Sequence, residues 1–321
     1  MSLVNIEDIE AARKRIEGTV VHTPLLRFFG AKEGDNVFFK PETFQPVGSF
    51  KIRGSYNKTT KLVEEGFKGT IIAFSSGNHA QGAAYSARKH GLKAIIVMPN
   101  NCPAIKIKKT KAMGAEVVLY DPVKDSREQI AKDLAKEHNG ALVPPYNDPD
   151  IIAGNGTSGL EIAEDMPNVE LVLACIGGGG HISGIATGLK LKLPNTKVFG
   201  VEPELADDAK KSFDSGKIVE NDDERAQQTI ADGIRTHQLG DLAFEHIQKY
   251  VDGIVTVKDE EIMAAAKILY LDCKLVVEPT AAVPLAAYQF HRDELPEAKN
   301  IVIVLSGGSA DPSFIRKISE D

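Results

Sequence analysis

The sequence predicts a doubly wound α/β fold in which mostly parallel sheets are flanked by helices. Short apolar segments rich in Val and Ile alternate with longer segments of helical periodicity, the pattern of strand and crossover-helix units. Segments 94–97 and 301–304 are apolar without alternation, as expected of strands covered by helices on both faces. We place strands at residues 37–40, 70–74, 93–98, 116–120, 141–143, 171–176, 197–201, 254–257 and 301–305, and helices in most of the intervals.

Length and composition exclude several classes of protein. The 321 residues are enough for about two domains, and 42% hydrophobic with 26% charged residues is ordinary globular usage. The formal net charge is −7 and the basic residues are scattered, so we expect no nucleic-acid partner. Neither a signal-peptide pattern nor an uninterrupted apolar run of about 18 residues is visible, which predicts no membrane contact and a cytoplasmic location.

The cysteines and the Pro-rich segment of the chain indicate less about its function. Cys102, Cys175 and Cys273 are odd in number and widely spaced, so we expect buried thiols rather than disulfides or a thiolate zinc site. The Pro-rich segment 144–149 is the clearest seam between domains. Ligands of such folds bind beyond the carboxyl ends of the strands, so the residues that follow each strand are the first candidates for a functional site.

Four consecutive glycines, Gly177 to Gly180, follow one predicted strand and precede a helix. Residues without Cβ let backbone N–H groups approach an anion, and the helix dipole adds to the attraction, so the loop predicts a phosphate site rather than a simple turn. The loop matches neither the Walker motif nor Gly-x-Gly-x-x-Gly. Glu202, at the end of the next strand, imitates the ribose-binding acid of a dinucleotide site, which keeps a nicotinamide-dependent oxidoreductase open as an alternative.

A second junction carries several polar groups at once. It reads Ser75, Ser76, Gly77, Asn78, His79, where another strand meets a helix. Hydroxyl, amide and free N–H groups at a helix start can bind a carboxylate or a ring oxygen. A helix cap alone would need only one of these residues.

A third junction contains a lysine between apolar neighbours. Lys51 stands between Phe50 and Ile52, directly after Gly48 and Ser49. A partly desolvated lysine loses its proton more readily and becomes a Schiff-base nucleophile. Taken alone, Lys51 could equally be a solvated charge on a helix face.

Five motifs together resemble a known family. They are Ser-Phe-Lys-Ile-Arg-Gly from residue 49, Ser-Ser-Gly-Asn-His from residue 75, the tetraglycine, Val-Glu-Pro-Thr from residue 277, and Leu-Ser-Gly-Gly from residue 305. Their order and spacing resemble the pyridoxal-phosphate enzymes of the fold type II, or tryptophan synthase β-like, family. Within it the chain is most similar to the serine racemase and serine/threonine dehydratase branch, from residue 22 to residue 309.

The resemblance implies a set of site residues. Lys51 would bind the cofactor aldehyde and act as the base on one face of the substrate Cα, and Ser76 would return a proton on the other face. The cofactor would contact Lys51, Phe50, Asn78, Gly177, Gly178, Gly179, Gly180, Glu278 and Ser306. The substrate would contact Ser75, Ser76, Gly77, His79, Arg127 and Tyr146. Asn78 would face the ring hydroxyl, and Ser306 would face the pyridine nitrogen.

The reaction implied is the interconversion of L- and D-serine, with elimination of serine to pyruvate and ammonia. A threonine or 3-hydroxyaspartate dehydratase without racemase activity is the alternative, and a non-catalytic amino-acid sensor is more remote. Arg127 matches an arginine of the racemase and hydroxyaspartate-dehydratase group, although a solvated helix arginine is the plainer interpretation. The resemblance also implies a homodimer, a large cofactor domain formed by residues 1–47 and 147–321, and a small mobile domain formed by residues 48–146.

The resemblance further implies a metal site, and the chain departs from the family pattern at three places. Glu202, Asp208 and the carbonyl of Ala206 would coordinate Mg2+, with Ca2+ and Mn2+ as alternatives, although the same acids would suit a solvated turn. Segment 25–29 lacks the serines that bind ATP in mammalian-type racemases and Ser309 stands where Asn is usual, so we do not expect activation by ATP. His181 follows the tetraglycine where relatives carry Met or Leu.

Overall fold

Two separate sheets form the framework of the protein. The computed structural model describes residues 2–102 and 104–320. The strands are β1 (Leu26–Arg27), β2 (Asn36–Pro41), β3 (Ile71–Phe74), β4 (Ala94–Pro99), β5 (Glu116–Tyr120), β6 (Ala141–Leu142), β7 (Leu171–Cys175), β8 (Lys197–Pro203), β9 (Gly253–Val257) and β10 (Asn300–Leu305).

Thirteen α-helices are found in the described part of the chain, most of them between successive strands. They are α1 (Ile6–Ile16), α2 (Lys51–Glu64), α3 (Asn78–Lys89), α4 (Ala104–Ala112), α5 (Arg127–Glu137), α6 (Pro149–Asp165), α7 (Gly180–Lys192), α8 (Asp208–Ser215), α9 (Asp223–Ala226), α10 (Asp241–Tyr250), α11 (Asp259–Leu271), α12 (Pro279–Phe290) and α13 (Pro312–Ser319). Within the described residues, none of these helices is long and apolar enough to cross a membrane.

The larger sheet has the strand order β1-β2-β10-β7-β8-β9, and the smaller has the order β5-β4-β3-β6. All neighbouring strands are parallel except β1 and β2. Because parallel strands present their carboxyl ends at one edge of a sheet, the residues that follow β7 and β10 lie at one edge of the larger sheet, and those that follow β3 lie at the corresponding edge of the smaller one.

The predicted fold class is confirmed, and each of the nine predicted strands is present. The structure adds β1, whose two residues pair antiparallel with β2 and are too few to show a periodic pattern. The division into a domain of residues 48–146 and a domain formed by the rest stays a prediction. The smaller sheet lies inside the first of these ranges.

Helix α6 sets the spacing between α2 and α7, because both helices pack closely against it. A Cβ on Gly154 would lie 2.5 Å from the carbonyl oxygen of Arg53 in α2, and one on Gly184 in α7 would lie 2.6 Å from the nitrogen of Gly156. These approaches exclude any side chain at the two glycines. The backbones of α2, α6 and α7 therefore touch, and their spacing is set by direct contact.

A buried ion network fixes the start of α2. The guanidinium of Arg53 donates to Glu42 at 2.7 and 2.8 Å and to Glu161 at 2.7 and 2.8 Å, and all three side chains are buried. Lys40 completes the network, with Nζ 2.7 Å from Glu161. Burial opposes the charge on Arg53, but the two carboxylates outweigh it and raise the pKa of Arg53. Each charge is paired, so the network anchors α2 two residues beyond Lys51.

Candidate active site

Four helices begin around one cleft at the carboxyl ends of the strands. They are α2, α3, α7 and α12, which begin at Lys51, Asn78, Gly180 and Pro279. Backbone contacts join the starts of α2 and α12 to the segment after β10: the N–H of Phe50 donates to the oxygen of Ser306, and the N–H of Glu278 donates to that of Gly307. The sequence motifs that are far apart along the chain thus meet in one place.

Lys51 is the first residue of α2, and its Nζ is withdrawn from water. The Nζ donates to the carbonyl oxygen of Pro145 at 2.8 Å and lies 5.0 Å from the centre of the Phe50 ring. Desolvation by burial lowers the pKa of Lys51 to about 8, although Cys175 and Glu278 act in the opposite direction. A lysine with this pKa is far more often in its nucleophilic amine form at neutral pH than a solvated one.

Asn78 and Glu278 form a pair that spans the cleft. The Nδ2 of Asn78 donates to both carboxylate oxygens of Glu278, at 2.8 and 3.0 Å, while its Oδ1 is buried without a partner among the described residues. Burial raises the pKa of Glu278 to about 7, and the bond from Asn78 lowers it. The pair fixes the amide of Asn78 so that its oxygen is free to accept a hydrogen bond.

Ser306 follows β10 and faces the same buried region. Its hydroxyl makes no hydrogen bond of ordinary geometry within the described residues. Its side chain interacts with the thiol of Cys175, whose pKa burial raises to about 11 although Ser306 lowers it. The thiol therefore stays protonated, and the hydroxyl of Ser306 is free to bind an added group.

The loop of Ser75, Ser76 and Gly77 leads from β3 into α3. The N–H of Gly77 donates to Oγ of Ser75 at 3.2 Å, and the thiol of Cys102 lies 3.7 Å from the carbonyl oxygen of Ser76. Gly77 is the residue before α3 and has no side chain that could cap the helix. The N–H groups at the start of α3 therefore receive no side-chain cap. The loop can therefore accept a carboxylate.

His79 is one residue inside α3 and is held by the backbone. Its Nε2 lies 2.8 Å from the carbonyl oxygen of Val143, so this nitrogen carries the proton. Burial first, and then the charge of Lys51, lower the pKa of His79 to about 3. The imidazole is neutral, and its role as a substrate contact stays a prediction.

The tetraglycine loop closes another side of the cleft. A Cβ on Gly178 would lie 2.5 Å from the ring of Tyr146, and one on Gly180 would lie 2.6 Å from the carbonyl oxygen of Tyr146. Gly179 has φ of 90°, a value that side chains rarely allow. The loop thus excludes side chains at the start of α7, so that only backbone would face an anion bound there, as such a site requires.

His181 directly follows this loop and is buried. Its ring stacks on that of Phe50, with centroids 3.6 Å apart and planes 10° from parallel. Neither ring nitrogen has a hydrogen-bond partner among the described residues. Desolvation first, and then the charges of Lys51 and Arg53, lower the pKa of His181 well below its usual value, so the imidazole is neutral.

Arg127 and Tyr146 lie close to each other, Arg127 beside Phe74 and Tyr146 against the tetraglycine loop. Arg127 is the first residue of α5, its guanidinium lies 5.4 Å from the centre of the Phe74 ring, and its Nε donates to Glu128 at 2.8 Å. Tyr146 is close enough to Arg127 for the two groups to influence each other's pKa, and burial raises the pKa of Tyr146. Because Phe74 precedes Ser75, the cation of Arg127 stands beside the loop that can bind a carboxylate.

The predicted metal ligands lie where β8 ends and α8 begins: Glu202 is near the end of the strand, Ala206 is in the connecting turn, and Asp208 is the first residue of the helix. Glu202 and Asp208 are buried, and their mutual repulsion adds to desolvation in raising the pKa of Glu202 well above its usual value. Desolvation likewise raises the pKa of Asp208 to about 7, and its Oδ2 has no hydrogen-bond partner in the described chain. Ala206, which lies between these two residues in the sequence, is also buried. No cluster of three or more His, Cys, Asp and Glu side chains suited to a metal occurs in the described residues, so carbonyl or water oxygens would have to complete a shell.

Two contacts of the cleft were missed from the sequence. The carbonyl of Pro145 binds Lys51, and Asn155 in α6 donates from Nδ2 to the oxygen of Gly180 at 3.0 Å. A backbone carbonyl leaves no signal in a sequence. Asn155 stands among small residues in a helix, and a buried amide in such a segment was the available clue.

Comparison with known proteins identifies the class of protein. The family described as pyridoxal-phosphate dependent enzyme matches residues 16–307, and the chain belongs to that family. It is a pyridoxal-phosphate-dependent enzyme of the racemase and ammonia-lyase kind. The nicotinamide-dependent alternative is therefore not retained. Pyridoxal phosphate fits the cleft, because a lysine of lowered pKa, a side-chain-free anion loop and unpartnered polar atoms converge there.

Individual relatives indicate which branch of the family the chain is most similar to. The chain is 42% identical to an L-threo-3-hydroxyaspartate ammonia-lyase of Saccharomyces cerevisiae, over 95% of this chain and 93% of that protein. It is 39% identical to a serine racemase of Schizosaccharomyces pombe, over 96% and 95% of the two chains. The solved structure of a maize serine racemase superposes with a TM-score of 0.92 and 34% identity, over 98% of this chain and 97% of that one.

Proposed function

We propose that the enzyme is a serine racemase that interconverts L- and D-serine and also eliminates serine to pyruvate and ammonia. The observation that carries the proposal is the convergence on one cleft of the Lys51 amine, the Ser75–Gly77 loop and the tetraglycine loop. The relatives named serine racemase add support. Pyridoxal phosphate, when bound, supplies an electron sink that makes the Cα–H of an amino acid acidic.

The residues of the cleft would have separate roles in the reaction. Lys51 would hold the cofactor through Nζ and then move a proton at Cα on one face, a role that suits an amine with a pKa near 8. Ser76 would deliver the proton on the opposite face. Ser75 and the open N–H groups at the start of α3 would bind and orient the substrate carboxylate.

Other residues would hold the cofactor. The N–H groups of Gly177 to Gly180 would bind its phosphate, Phe50 would pack beside its ring, and Asn78 would bind its ring hydroxyl, with Glu278 fixing the amide. The hydroxyl of Ser306 would meet the ring nitrogen. A hydroxyl, unlike a carboxylate, would leave that nitrogen without a proton and so temper the electron sink.

We also propose a divalent-cation site, a homodimer and a cytoplasmic location. Glu202, Asp208 and the carbonyl of Ala206 would bind Mg2+, which prefers oxygen ligands and keeps several waters. The fit rests on two buried carboxylates that repel each other and on the unpartnered Oδ2 of Asp208. A bound cation would relieve that repulsion.

A second candidate function is a 3-hydroxyaspartate ammonia-lyase. It is favoured by Arg127, whose guanidinium stands beside the Ser75–Gly77 loop where it could meet a second substrate carboxylate. The relative in Saccharomyces cerevisiae with that name is 42% identical. A threonine dehydratase would not need this cation.

A product assay separates these functions. Purified holoenzyme is incubated with L-serine, L-threonine and L-threo-3-hydroxyaspartate, and D-serine, keto acids and ammonia are quantified. We expect both D-serine and pyruvate from L-serine. Pyruvate without D-serine would leave only a dehydratase. Borohydride reduction followed by mass spectrometry should place the cofactor on Lys51, and a cofactor on another residue would refute the proposed site.

A further inference from the structure

The cleft contains polar side-chain atoms that are buried and unpartnered. Asn78 Oδ1, Ser306 Oγ, Asn155 Oδ1 and both ring nitrogens of His181 have no hydrogen-bond partner among the described residues. All four residues adjoin the candidate site: Asn155 donates to Gly180, and the backbone oxygen of Ser306 accepts from Phe50. Burying polar groups without partners is costly, so such atoms mark where an additional group binds.

His181 and Asn155 have no role in the proposed function, and of these two it is His181 whose side chain contacts the residue beside the cofactor lysine. It follows Gly180 at the start of α7, and its ring lies 3.6 Å from that of Phe50, the residue before Lys51. The ring is therefore next in sequence to the anion loop and in contact with the residue that precedes the cofactor lysine. It is 7% exposed, so bulk water does not satisfy its nitrogens.

The chemistry of the ring indicates what its partner must be. A neutral imidazole has one N–H donor and one acceptor nitrogen. Burial beside Lys51 and Arg53 keeps His181 neutral, so one N–H is always available. The strongest acceptor expected at the start of α7 is a phosphate oxygen, because the helix dipole and the glycine N–H groups already attract an anion there.

We propose that His181 is an additional ligand of the cofactor phosphate, to which its N–H donates while its ring stays stacked on Phe50. This inference rests on the proposed phosphate site. It adds a side-chain donor to a loop that otherwise binds only through its backbone. Stacking holds the ring in one plane, so the hydrogen bond costs little conformational entropy when it forms.

The test compares pyridoxal phosphate with pyridoxal, which has the same aldehyde but no phosphate. The full chain is freed of cofactor and reconstituted with each compound, and the dissociation constants are measured by absorbance titration. The variants are His181→Phe, which keeps the ring stacking but has no N–H, and His181→Leu, which lacks both. We expect both variants to bind pyridoxal phosphate about 10-fold or more weakly than the parent and to bind pyridoxal within about twofold of the parent.

Two results would overturn the inference. If His181→Phe binds pyridoxal phosphate as tightly as the parent, the nitrogen makes no contact with the phosphate. If both compounds weaken equally, His181 acts only by packing. Nitrogen NMR of the unchanged chain labelled at histidine is independent of variant folding, and one imidazole signal of His181 must shift on addition of pyridoxal phosphate but not of pyridoxal.

Failure of the inference differs from failure of the proposed function. Each reconstituted sample is also reduced with borohydride and digested for mass spectrometry. Suppose that both compounds label Lys51 in the parent, and that each variant has the same ratio of affinities for pyridoxal phosphate and pyridoxal as the parent. That result refutes only the role of His181. Absence of the Lys51 label in the parent refutes the proposed cofactor site itself.

Discussion

The amide nitrogen of Asn78 donates to both carboxylate oxygens of Glu278, which joins the start of α3 to the residue that precedes α12. Helix α3 follows a strand of the smaller sheet and α12 precedes a strand of the larger one, so this contact crosses the cleft. Because Glu278 is buried, its carboxylate depends on this donor to stay charged near neutral pH.

Replacing Asn78 by Ala should therefore destabilise the protein. The change leaves the Glu278 carboxylate buried without its donor and raises its pKa above the present value of about 7. We expect a loss of about 1–3 kcal/mol in the free energy of unfolding, measured with urea at pH 7.5. In Asn78→Ala/Glu278→Gln the loss should be smaller than the sum of the single losses. Strict additivity would mean that the two side chains do not interact.

The stability of the cofactor-free chain should depend on pH through Lys51. Its pKa of about 8 in the folded chain is below the unfolded value of 10.5, so between these pH values the unfolded chain binds more protons. Stability therefore rises with pH across this window, and the cost of burying the charge is fully present below pH 8. Relative to Lys51→Met, the parent should gain about 3 kcal/mol from pH 7 to pH 10.5.

Urea unfolding of both cofactor-free chains at several pH values measures this difference. Comparing them cancels the titration of the groups they share. A difference that stays flat from pH 7 to pH 10.5 would show that the Nζ of Lys51 is solvated.

Ser76→Ala should separate racemisation from elimination. Loss of the hydroxyl removes the proposed proton donor on one face of Cα, while Lys51 on the other face is unchanged. We expect formation of D-serine from L-serine to fall by about 100-fold or more, and formation of pyruvate from L-serine to change far less. Chiral chromatography of the products measures both rates.

Ser75→Ala is the matched control for this variant. It removes a hydroxyl proposed to bind the carboxylate in both reactions, so it should raise KM for both together. Equal losses of both reactions in Ser76→Ala would argue against a proton-transfer role for Ser76.

Mg2+ should stabilise the protein through Glu202 and Asp208. A ligand present at 100 times its dissociation constant stabilises the folded state by about 2.7 kcal/mol. We therefore expect a rise of several degrees in the thermal unfolding midpoint, and loss of that rise in Glu202→Gln. Glu204→Gln, two residues further along the chain, is the control and should keep it. An unchanged rise in Glu202→Gln would place the cation elsewhere.

The sequence predicts the elements of the fold better than the contacts between them. Apolar runs predict each strand from β2 to β10, and they are clearest in β4, β7 and β10, because a buried parallel strand must be apolar on both faces. The tetraglycine and the Ser75–His79 segment are recognisable because unusual residues stand at strand-to-helix junctions. In contrast, Asn78 and Glu278 are 200 residues apart, and Lys51 and Pro145 are 94 apart. Periodicity reports which face is buried but not what lies against it, so these pairs and the Phe50–His181 stack required the structure.

The glycine contacts of α6 bear on how such an enzyme can diverge. Since α2 and α7 meet α6 backbone to backbone at Gly154 and Gly184, the gap between Lys51 and the phosphate loop does not depend on the shape of intervening side chains. Substitutions elsewhere on these helices can then accumulate without altering the dimensions of the cleft. Arg127, which lies outside these helix contacts, is left as a position at which new substrate preferences can evolve.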